Sequence, residues 1–261
     1  NVRPMYRFTW RLLLGMGLLL GMQVTVSPTA VSAELAEIEA RERLIVAVKD
    51  NWYPLGYRDT AGNLQGFEID VARRLALDLL GDAEAIELRP VSNVERVNAV
   101  LNGDVDIAIA SITVTAQRQR IASFSLPYYW DGTGFITTSA RSLDELRLGR
   151  IAVLADSSTL VQLRYQLPTA TLVPVPSYQA ALTELDSGRI DAFAGDVSLL
   201  SGWQQDSRYQ LLDEVISVEP IAIAIPKGTQ YSSLRRAINN AIRQWDDEGW
   251  LKDRAVHWGL R

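Results

Sequence analysis

Cysteine is absent from the 261-residue sequence, and histidine occurs once, at His257. The absence of cysteine excludes disulfide bonds, a thiolate nucleophile, cysteine ligands for a metal and a lipidated cysteine after a leader. A catalytic triad needs a nucleophile, a base and an orienting acid. No evident partners accompany His257, and no G-x-S-x-G motif is present. We therefore expect no metal site, no cofactor and no hydrolytic centre.

Clusters of lysine and arginine are also lacking after the N-terminal segment, and the formal net charge is −5. Nucleic-acid binding relies on clustered cations that neutralise phosphates, so we expect no nucleic-acid partner. Apolar residues make up 48% of the chain and charged residues 22%. This balance is typical of globular domains and argues against a disordered or coiled-coil protein.

The first 33 residues have the organisation of a signal peptide. Arg3, Arg7 and Arg11 give a positive start without any acid, residues 12–22 form an uncharged apolar run, and small residues occupy positions 31–33. Secretory signals have this order, and the apolar run is shorter than the ~20 residues that span a bilayer. We predict that residues 1–33 are a signal peptide that directs the protein to the periplasm. An uncleaved N-terminal anchor is the alternative.

The rest of the chain alternates apolar runs with amphipathic helices. Predicted strands cover residues 44–48, 85–88, 107–110, 151–154, 190–194 and 221–225. Predicted helices cover residues 68–80, 93–102, 157–165, 178–187 and 232–249, and Asn93 is expected to cap the second of them. The order β-α-β-α-β occurs twice, which predicts parallel strands with crossover helices. The predicted fold class is α/β, with two lobes and a ligand site beyond the carboxyl ends of the strands.

Two of these strand ends are followed by groups that suit an anion. Ser111, Thr113 and Arg118 come after the third predicted strand, and a guanidinium beside hydroxyls suits a carboxylate. Ser157 and Ser158 begin the helix after the fourth strand, where backbone N–H groups also favour an anion.

A third strand end carries a group that suits a cation. Asp196 follows the fifth predicted strand, where its carboxylate could receive an ammonium. An anion receptor on one lobe and a cation receptor on the other suit a zwitterion such as an amino acid. Structural explanations are the alternatives: a surface ion pair for Arg118, and helix capping for Asp196 and the serine pair.

Two further positions near the strand ends have a structural and a functional interpretation. Trp52 follows the first predicted strand, where a core tryptophan and a ring facing a ligand are equally consistent with its position. Glu68 and Asp70 lie in the first turn of a helix, and we interpret them as residues that interact favourably with the helix dipole.

Several motifs occur in a fixed order along the chain. They are GFEIDVARRLA at residues 66–76, LNGDVD at 101–106 with the segments 111–118 and 124–129, LDSGRIDAFAGD at 185–196, IPKG at 225–228, and a C-terminal segment at 245–259. In this order they resemble the family 3 solute-binding proteins of polar amino-acid ABC importers. The similarity covers about residues 42–260.

The resemblance implies the two-lobed type II periplasmic binding protein fold, in which two doubly wound α/β lobes joined by two hinge strands close on the ligand. Lobe 1 is expected to comprise residues 34–131 and 220–261, and lobe 2 residues 132–219. The hinge strands are expected near residues 129–135 and 217–221. The resemblance further implies a monomer, without catalytic activity, that captures a free amino acid and delivers it to an ABC transporter permease in the inner membrane.

The resemblance also implies roles for the strand-end residues. Arg118 would bind the ligand α-carboxylate, aided by Thr113 and Ser158. Ser111 and Asp196 would bind the α-ammonium group, with Asp196 as its counter-ion.

Other positions bear on the ligand side chain. Trp52 corresponds to the aromatic residue that lies against it. Lys49 stands where several relatives have an acid that recognises a basic side chain, which argues against lysine or arginine as ligand. Arg96 occupies a position where relatives that bind acidic amino acids direct an arginine at the side chain, and a solvated helix arginine is the alternative. Asp156 replaces the usual glycine before the paired hydroxyls. We expect a polar or acidic amino acid.

Two other functions fit the same scaffold. An enzyme that dehydrates a small carboxylic acid would need a general acid in the cleft, and the sequence offers no clear candidate outside the binding set. A ligand-sensing ectodomain would need a transmembrane or signalling segment.

Overall fold

The structure is a computed structural model that describes residues 33–139, 142–155, 157–204 and 206–260. Apart from Ala33, the predicted signal peptide lies outside the described residues, as does Asp156. The strands are β1 Leu44–Val48, β2 Asn51–Trp52, β3 Gly56–Arg58, β4 Leu64–Gln65, β5 Ile86–Pro90, β6 Ile107–Ile109, β7 Ser123–Asp131, β8 Thr133–Thr137, β9 Arg150–Leu154, β10 Thr171–Val175, β11 Ala192–Asp196, β12 Gln210–Leu211 and β13 Glu219–Ile225.

The helices connect these strands and cover the sheets. They are α1 Leu35–Ala40, α2 Phe67–Leu80, α3 Glu95–Leu101, α4 Ala116–Ile121, α5 Leu143–Leu146, α6 Ser158–Gln166, α7 Tyr178–Asp186, α8 Val197–Trp203, α9 Ser232–Asp247 and α10 Trp250–His257. None of these helices is long and apolar enough to cross a membrane.

The first lobe is built on a five-stranded sheet in the order β5-β1-β6-β13-β7. β1 pairs in parallel with β5 and β6, whereas β13 is antiparallel to β6 and β7. Since β13 comes late in the chain, the C-terminal part returns to complete the sheet that the N-terminal part began. The apolar faces of α2 and α9 contact each other and contribute Phe67, Leu75, Ile238 and Trp245 to the buried core.

The second lobe is built on the sheet β10-β9-β11-β8-β12. β9 pairs in parallel with β10 and β11, and β8 runs antiparallel to β11 and β12. Both sheets therefore have parallel strands with crossover helices and antiparallel additions at one side. The predicted α/β class with two β-α-β-α-β units is confirmed.

The chain passes from one sheet to the other at two neighbouring points. β7 of the first sheet ends at Asp131 and β8 of the second begins at Thr133. On the return, Glu219 begins β13 and pairs with Asp131 across the two strands. The predicted lobe boundaries at 131/132 and 219/220 stay a proposal, which this division of the strands between the sheets supports.

Two helices differ from the sequence prediction. α3 begins at Glu95 rather than after a cap at Asn93, because Ser92 starts the turn: its Oγ and its N–H donate to the Glu95 carboxylate at 2.6 and 3.1 Å. Asn93 is therefore left to face the second lobe. The helix predicted at 232–249 ends at Asp247, and Gly249, at φ 74°, lets the chain turn into α10.

Candidate ligand-binding site

A cleft of about 350 Å³ lies between the lobes, beyond the carboxyl ends of β6, β9 and β11. Seven side chains were predicted to bind ligand, and the structure brings all seven to the walls of this one cleft. The first lobe contributes Trp52, Arg96, Ser111, Thr113 and Arg118, and the second contributes Ser158 and Asp196. Their individual roles toward a ligand stay predictions. Polar groups that converge at the strand ends between two lobes are typical of a small-molecule site.

Arg118 is the cation of the first lobe's wall. It lies in α4, whose N-cap Thr115 accepts a hydrogen bond from the Arg118 N–H at 3.2 Å. Its Nη1 donates to the carbonyl oxygen of Thr113 at 2.8 Å. Burial, with a smaller effect of the nearby Arg96, lowers the pKa of Arg118 to about 10, so the group stays charged at neutral pH. Among the described residues no carboxylate lies within ion-pair distance of its guanidinium, which leaves Arg118 able to bind an anion.

Asp196 is the acid of the second lobe's wall. It ends β11 and occupies the N-cap position of α8, but its side chain makes no capping hydrogen bond. Burial raises the pKa of Asp196 well above its usual range, and repulsion from Asp131 and Glu219 raises it further. An ammonium group placed here would offset that repulsion and favour the charged carboxylate.

The two acids beside Asp196 were not found by sequence reasoning. Asp131 accepts from the N–H and the hydroxyl of Ser198, and burial raises its pKa. Glu219 accepts from the hydroxyls of Thr113, Thr133 and Ser217 at 3.2, 3.3 and 3.0 Å. The Thr113 hydroxyl thus donates to Glu219 in this structure. The only available signal was that both acids lie within the segments predicted as hinge strands.

Arg96 reaches the cleft from α3. Its Nη1 donates to the carbonyl oxygens of Ala110 and Ser111 at 2.9 and 2.5 Å. The alternative of a solvated helix arginine does not describe this side chain, because it is fixed against the chain that follows β6. Ser111, in turn, adopts a left-handed backbone with φ 50°.

Glu68 contributes to the same part of the first lobe. Its side chain is completely buried and accepts from the Ser111 N–H at 2.6 Å and from the Tyr128 hydroxyl at 2.5 Å. Glu68 does lie in the first turn of α2, as the helix-dipole interpretation requires, but its carboxylate also accepts hydrogen bonds from two other elements. Asp70 does lie near the surface, where it accepts from the Trp258 indole N–H at 2.8 Å.

Trp52 is a buried residue that also lines the cleft, and its role toward a ligand stays a prediction. It is 1% exposed, and its ring meets Tyr178 of the second lobe edge to face at a centroid distance of 5.3 Å. Beside it, Asn93 Nδ2 donates to the Tyr178 hydroxyl at 3.4 Å. The lobes are therefore in contact at this wall. Sequence reasoning missed Tyr178, which carries no motif of its own.

The start of α6 forms the remaining polar wall. Ser157 is its N-cap: its Oγ accepts from the Leu160 N–H at 3.4 Å and donates to the Leu154 carbonyl at 2.7 Å. Ser157 therefore serves the helix, while Ser158 is the first residue of the helix and lines the cleft. The N–H groups of such a first turn favour a carboxylate.

Buried polar atoms without a hydrogen-bond partner concentrate at this cleft. Within the described residues, four such atoms belong to side chains that line it: Trp52 Nε1, Asn93 Oδ1, Arg96 Nε and Ser111 Oγ. A buried donor or acceptor without a partner destabilises the fold. A polar ligand would supply these partners, so the cleft has the chemistry of a site for a small polar molecule.

The chain belongs to the bacterial extracellular solute-binding proteins, family 3, whose family model matches residues 44–261. It is 34% identical over 202 residues to the glutamine-binding protein of Geobacillus stearothermophilus, covering 75% of this chain and 77% of that protein. It is 29% identical over 233 residues to the ABC transporter glutamine-binding protein GlnH of Bacillus subtilis, covering 84% and 85%.

Solved structures show the same architecture. The solute receptor for L-cysteine of Neisseria gonorrhoeae is 26% identical and superposes with a TM-score of 0.76 over 86% of this chain and 93% of that one. An ancestral amino-acid-binding protein described as a precursor of cyclohexadienyl dehydratase is 26% identical, with a TM-score of 0.74 over 86% and 98%. The fold is the two-lobed type II periplasmic binding protein fold, and the resemblance found in the sequence is confirmed.

Proposed function

We propose that this protein binds a free amino acid between its lobes and delivers it to the permease of an ABC transporter. The observation that carries the proposal is that Arg118 of the first lobe and Asp196 of the second line the same cleft. The relatives named above bear the names of amino-acid-binding proteins, and one is named as part of an ABC transporter.

The cleft complements the two charges of an amino acid. Arg118 binds the α-carboxylate with Ser158 and the first turn of α6, and Thr113 supports the arginine through its carbonyl. Asp196 and the Ser111 hydroxyl bind the α-ammonium group. Ligand charges between closed lobes lose water, so each must meet a partner. A ligand with only one of the two charges leaves either Arg118 or Asp196 unpaired.

The ligand class is a polar amino acid, with L-glutamine as the first candidate. Asn93 Oδ1 is a buried acceptor and Trp52 Nε1 a buried donor; both belong to residues that line the cleft, and neither has a hydrogen-bond partner within the described part of the chain. A carboxamide carries one group that accepts and one that donates, so it complements this pair. An acidic side chain is the second candidate, through Arg96, whose Nη1 donates to two carbonyl oxygens and whose Nε has no hydrogen-bond partner among the described residues. Two relatives named as glutamine-binding proteins agree with the first candidate.

The remaining parts of the proposal concern the location, the assembly state and the lack of catalytic activity of the protein. Residues 1–33 act as a signal peptide, the mature protein is a monomer in the periplasm, and it has no catalytic activity. The family description as extracellular solute-binding proteins supports the location. The same family membership supports release of the ligand to an inner-membrane permease.

Calorimetry and thermal shift with the twenty amino acids, using a chain that begins at Glu34, test the proposal. We expect L-glutamine to bind and Arg118→Ala to abolish binding without changing the far-UV circular dichroism. Arg120→Ala is the matched control, because Arg120 lies on the same helix but is exposed. Binding by the Arg118→Ala variant equal to that of the parent would contradict the carboxylate assignment. Absence of any amino-acid binding, together with turnover of a small carboxylic acid, would favour the dehydratase-like alternative.

A further inference from the structure

Glu68 is a completely buried carboxylate that has no direct place in the cleft. It lies in the first turn of α2, and its Oε1 accepts both of its hydrogen bonds, while Oε2 has no hydrogen-bond partner in the described part of the chain. A buried charge with an unsatisfied oxygen is destabilising, and an apolar side chain of similar volume would fill the same space at lower free energy. Packing alone therefore does not explain an acid here.

The partner of Glu68 is the most unusual backbone position of the cleft. Ser111 has a φ of 50°, a left-handed conformation that a residue with a Cβ adopts only under constraint. Charged side chains hold both sides of this residue: its N–H donates to Glu68 at 2.6 Å, and its carbonyl accepts from Arg96 at 2.5 Å. Ser111 is thereby held at the wall of the cleft, and its Oγ has no hydrogen-bond partner among the described residues.

The surroundings of Glu68 make its charge sensitive to pH. The charged or titratable groups that face it are Lys49 after β1, Arg96 of α3 and Tyr128 of β7. Burial raises the pKa of Glu68 to about 7, against the lowering effect of the bonds from Tyr128 and Ser111 and of the two cations. Lys49 has a lowered pKa because of burial and of Arg96. Glu68 therefore exchanges its proton in the neutral range.

We propose that the Glu68 carboxylate is a positioning residue that holds Ser111 in its left-handed conformation and so forms the acceptor side of the ammonium site. This inference rests on the proposed function of the cleft as an amino-acid site. A charged acceptor binds an N–H more strongly than a neutral one. The negative charge also offsets Arg96 and Lys49, which would otherwise repel an ammonium group. Amino-acid affinity is therefore complete above the pKa of Glu68 and decreases as the pH falls through it.

The test is the ratio of dissociation constants between Glu68→Gln and the parent as a function of pH. The probe is L-glutamine, or whichever of the twenty amino acids binds the parent most tightly. Glutamine keeps the size of the side chain and one acceptor oxygen but carries no charge. We expect the variant to bind about tenfold more weakly near pH 8.5 and about as well as the parent near pH 5.5, with the change centred near pH 7. Titration of Asp196 occurs in both proteins and cancels in the ratio.

A ratio of dissociation constants that does not depend on pH would overturn the inference about Glu68. The proposed function would still hold in that case, provided that the parent binds an amino acid. If the parent binds no amino acid, the proposed function itself fails. Asp106→Asn is the matched control: Asp106 is also a buried acid of the first lobe, but it accepts from the Ile45 N–H at 2.8 Å and does not line the cleft. The ratio of dissociation constants between Asp106→Asn and the parent should not change with pH.

A second variant keeps the test open if Glu68→Gln does not fold. The Tyr128 hydroxyl donates to Glu68 Oε1 and so stabilises the charged form of Glu68. Tyr128→Phe should therefore move the midpoint of the affinity profile to higher pH. Tyr209→Phe removes a similar tyrosine–carboxylate bond, to Asp186 in the second lobe at 2.7 Å, and should leave the midpoint in place. An unmoved midpoint in Tyr128→Phe would contradict the role of Glu68.

Discussion

Replacement of Asp196 by asparagine tests the ammonium side of the cleft. The carboxylate makes no capping bond, and Asp131 and Glu219 oppose its charge while Arg96 and Arg118 favour it, so a bound ammonium group would add a further favourable partner. Losing one partner of a desolvated, charge-assisted pair costs about 3 kcal/mol. Because 1.4 kcal/mol corresponds to about tenfold, Asp196→Asn should weaken the binding of L-glutamine about 100-fold.

The comparison ligand is 4-carbamoylbutanoate, which is glutamine without its amino group. It keeps the carboxylate that binds Arg118 and the carboxamide that binds Asn93 and Trp52, but it has no ammonium group to pair with Asp196. We expect the parent to bind this analogue weakly, because the acid stays unpaired. Asp196→Asn should leave the affinity for the analogue unchanged or increase it. Calorimetry with both ligands measures the two effects in one experiment.

The matched control for this substitution is Asp191→Asn. Asp191 directly precedes β11, the strand that Asp196 ends, but it forms an exposed ion pair with Arg150 at 2.9 Å. Its loss should not change either dissociation constant. If Asp196→Asn weakened glutamine and the analogue equally, Asp196 would have no role as the partner of the ammonium group, and the charge argument would be refuted.

Three other predictions concern closure, stability and pH. A Cβ at Gly202 of α8 would lie 2.8 Å from the carbonyl oxygen of Tyr53, so Gly202→Val should hold the lobes apart and weaken ligand binding more than tenfold. Binding at parental strength, or a liganded variant with the same radius of gyration as the liganded parent in small-angle scattering, would contradict this. Asp106→Asn weakens the acceptor for Ile45 and Arg41, and chemical denaturation should show a loss of about 2 kcal/mol with ligand affinity unchanged. Glu68 binds its proton more tightly in the folded state, since its pKa is raised to about 7, so its contribution makes the ligand-free protein less stable as the pH rises from about 5 to 8. The melting temperature measured by calorimetry should therefore decrease less over that range in Glu68→Gln than in the parent, and equal decreases would refute this.

The sequence predicted the fold well because its signals are local. The apolar run at Leu44–Val48 and the helix that ends at Gly81 depend on periodicity and on one left-handed glycine, both visible in a single segment. Because ligands bind beyond the carboxyl ends of the strands in such sheets, the sequence then indicated that Arg118 and Asp196 would line the same cleft, although they are far apart in the chain. Their appearance on one cleft required only that both β-α-β-α-β units fold as expected.

The groups that sequence reasoning missed depend on contacts between distant segments. Glu68 has the position of a helix-dipole residue, and only the packing of α2 against β6 directs it to Ser111. Glu219 and Asp131 face each other because the two crossing strands pair in a particular register. Tyr178 reaches Trp52 only when the lobes are in contact. No periodicity or motif in the sequence predicts these contacts.

A crystal structure of the mature protein with L-glutamine tests the central claim most directly. The account predicts one amino acid in the cleft, with its α-carboxylate on the Arg118 guanidinium and its α-ammonium group on the Asp196 carboxylate. A ligand bound in the opposite orientation, or bound at a place that touches only one of these two side chains, would contradict it.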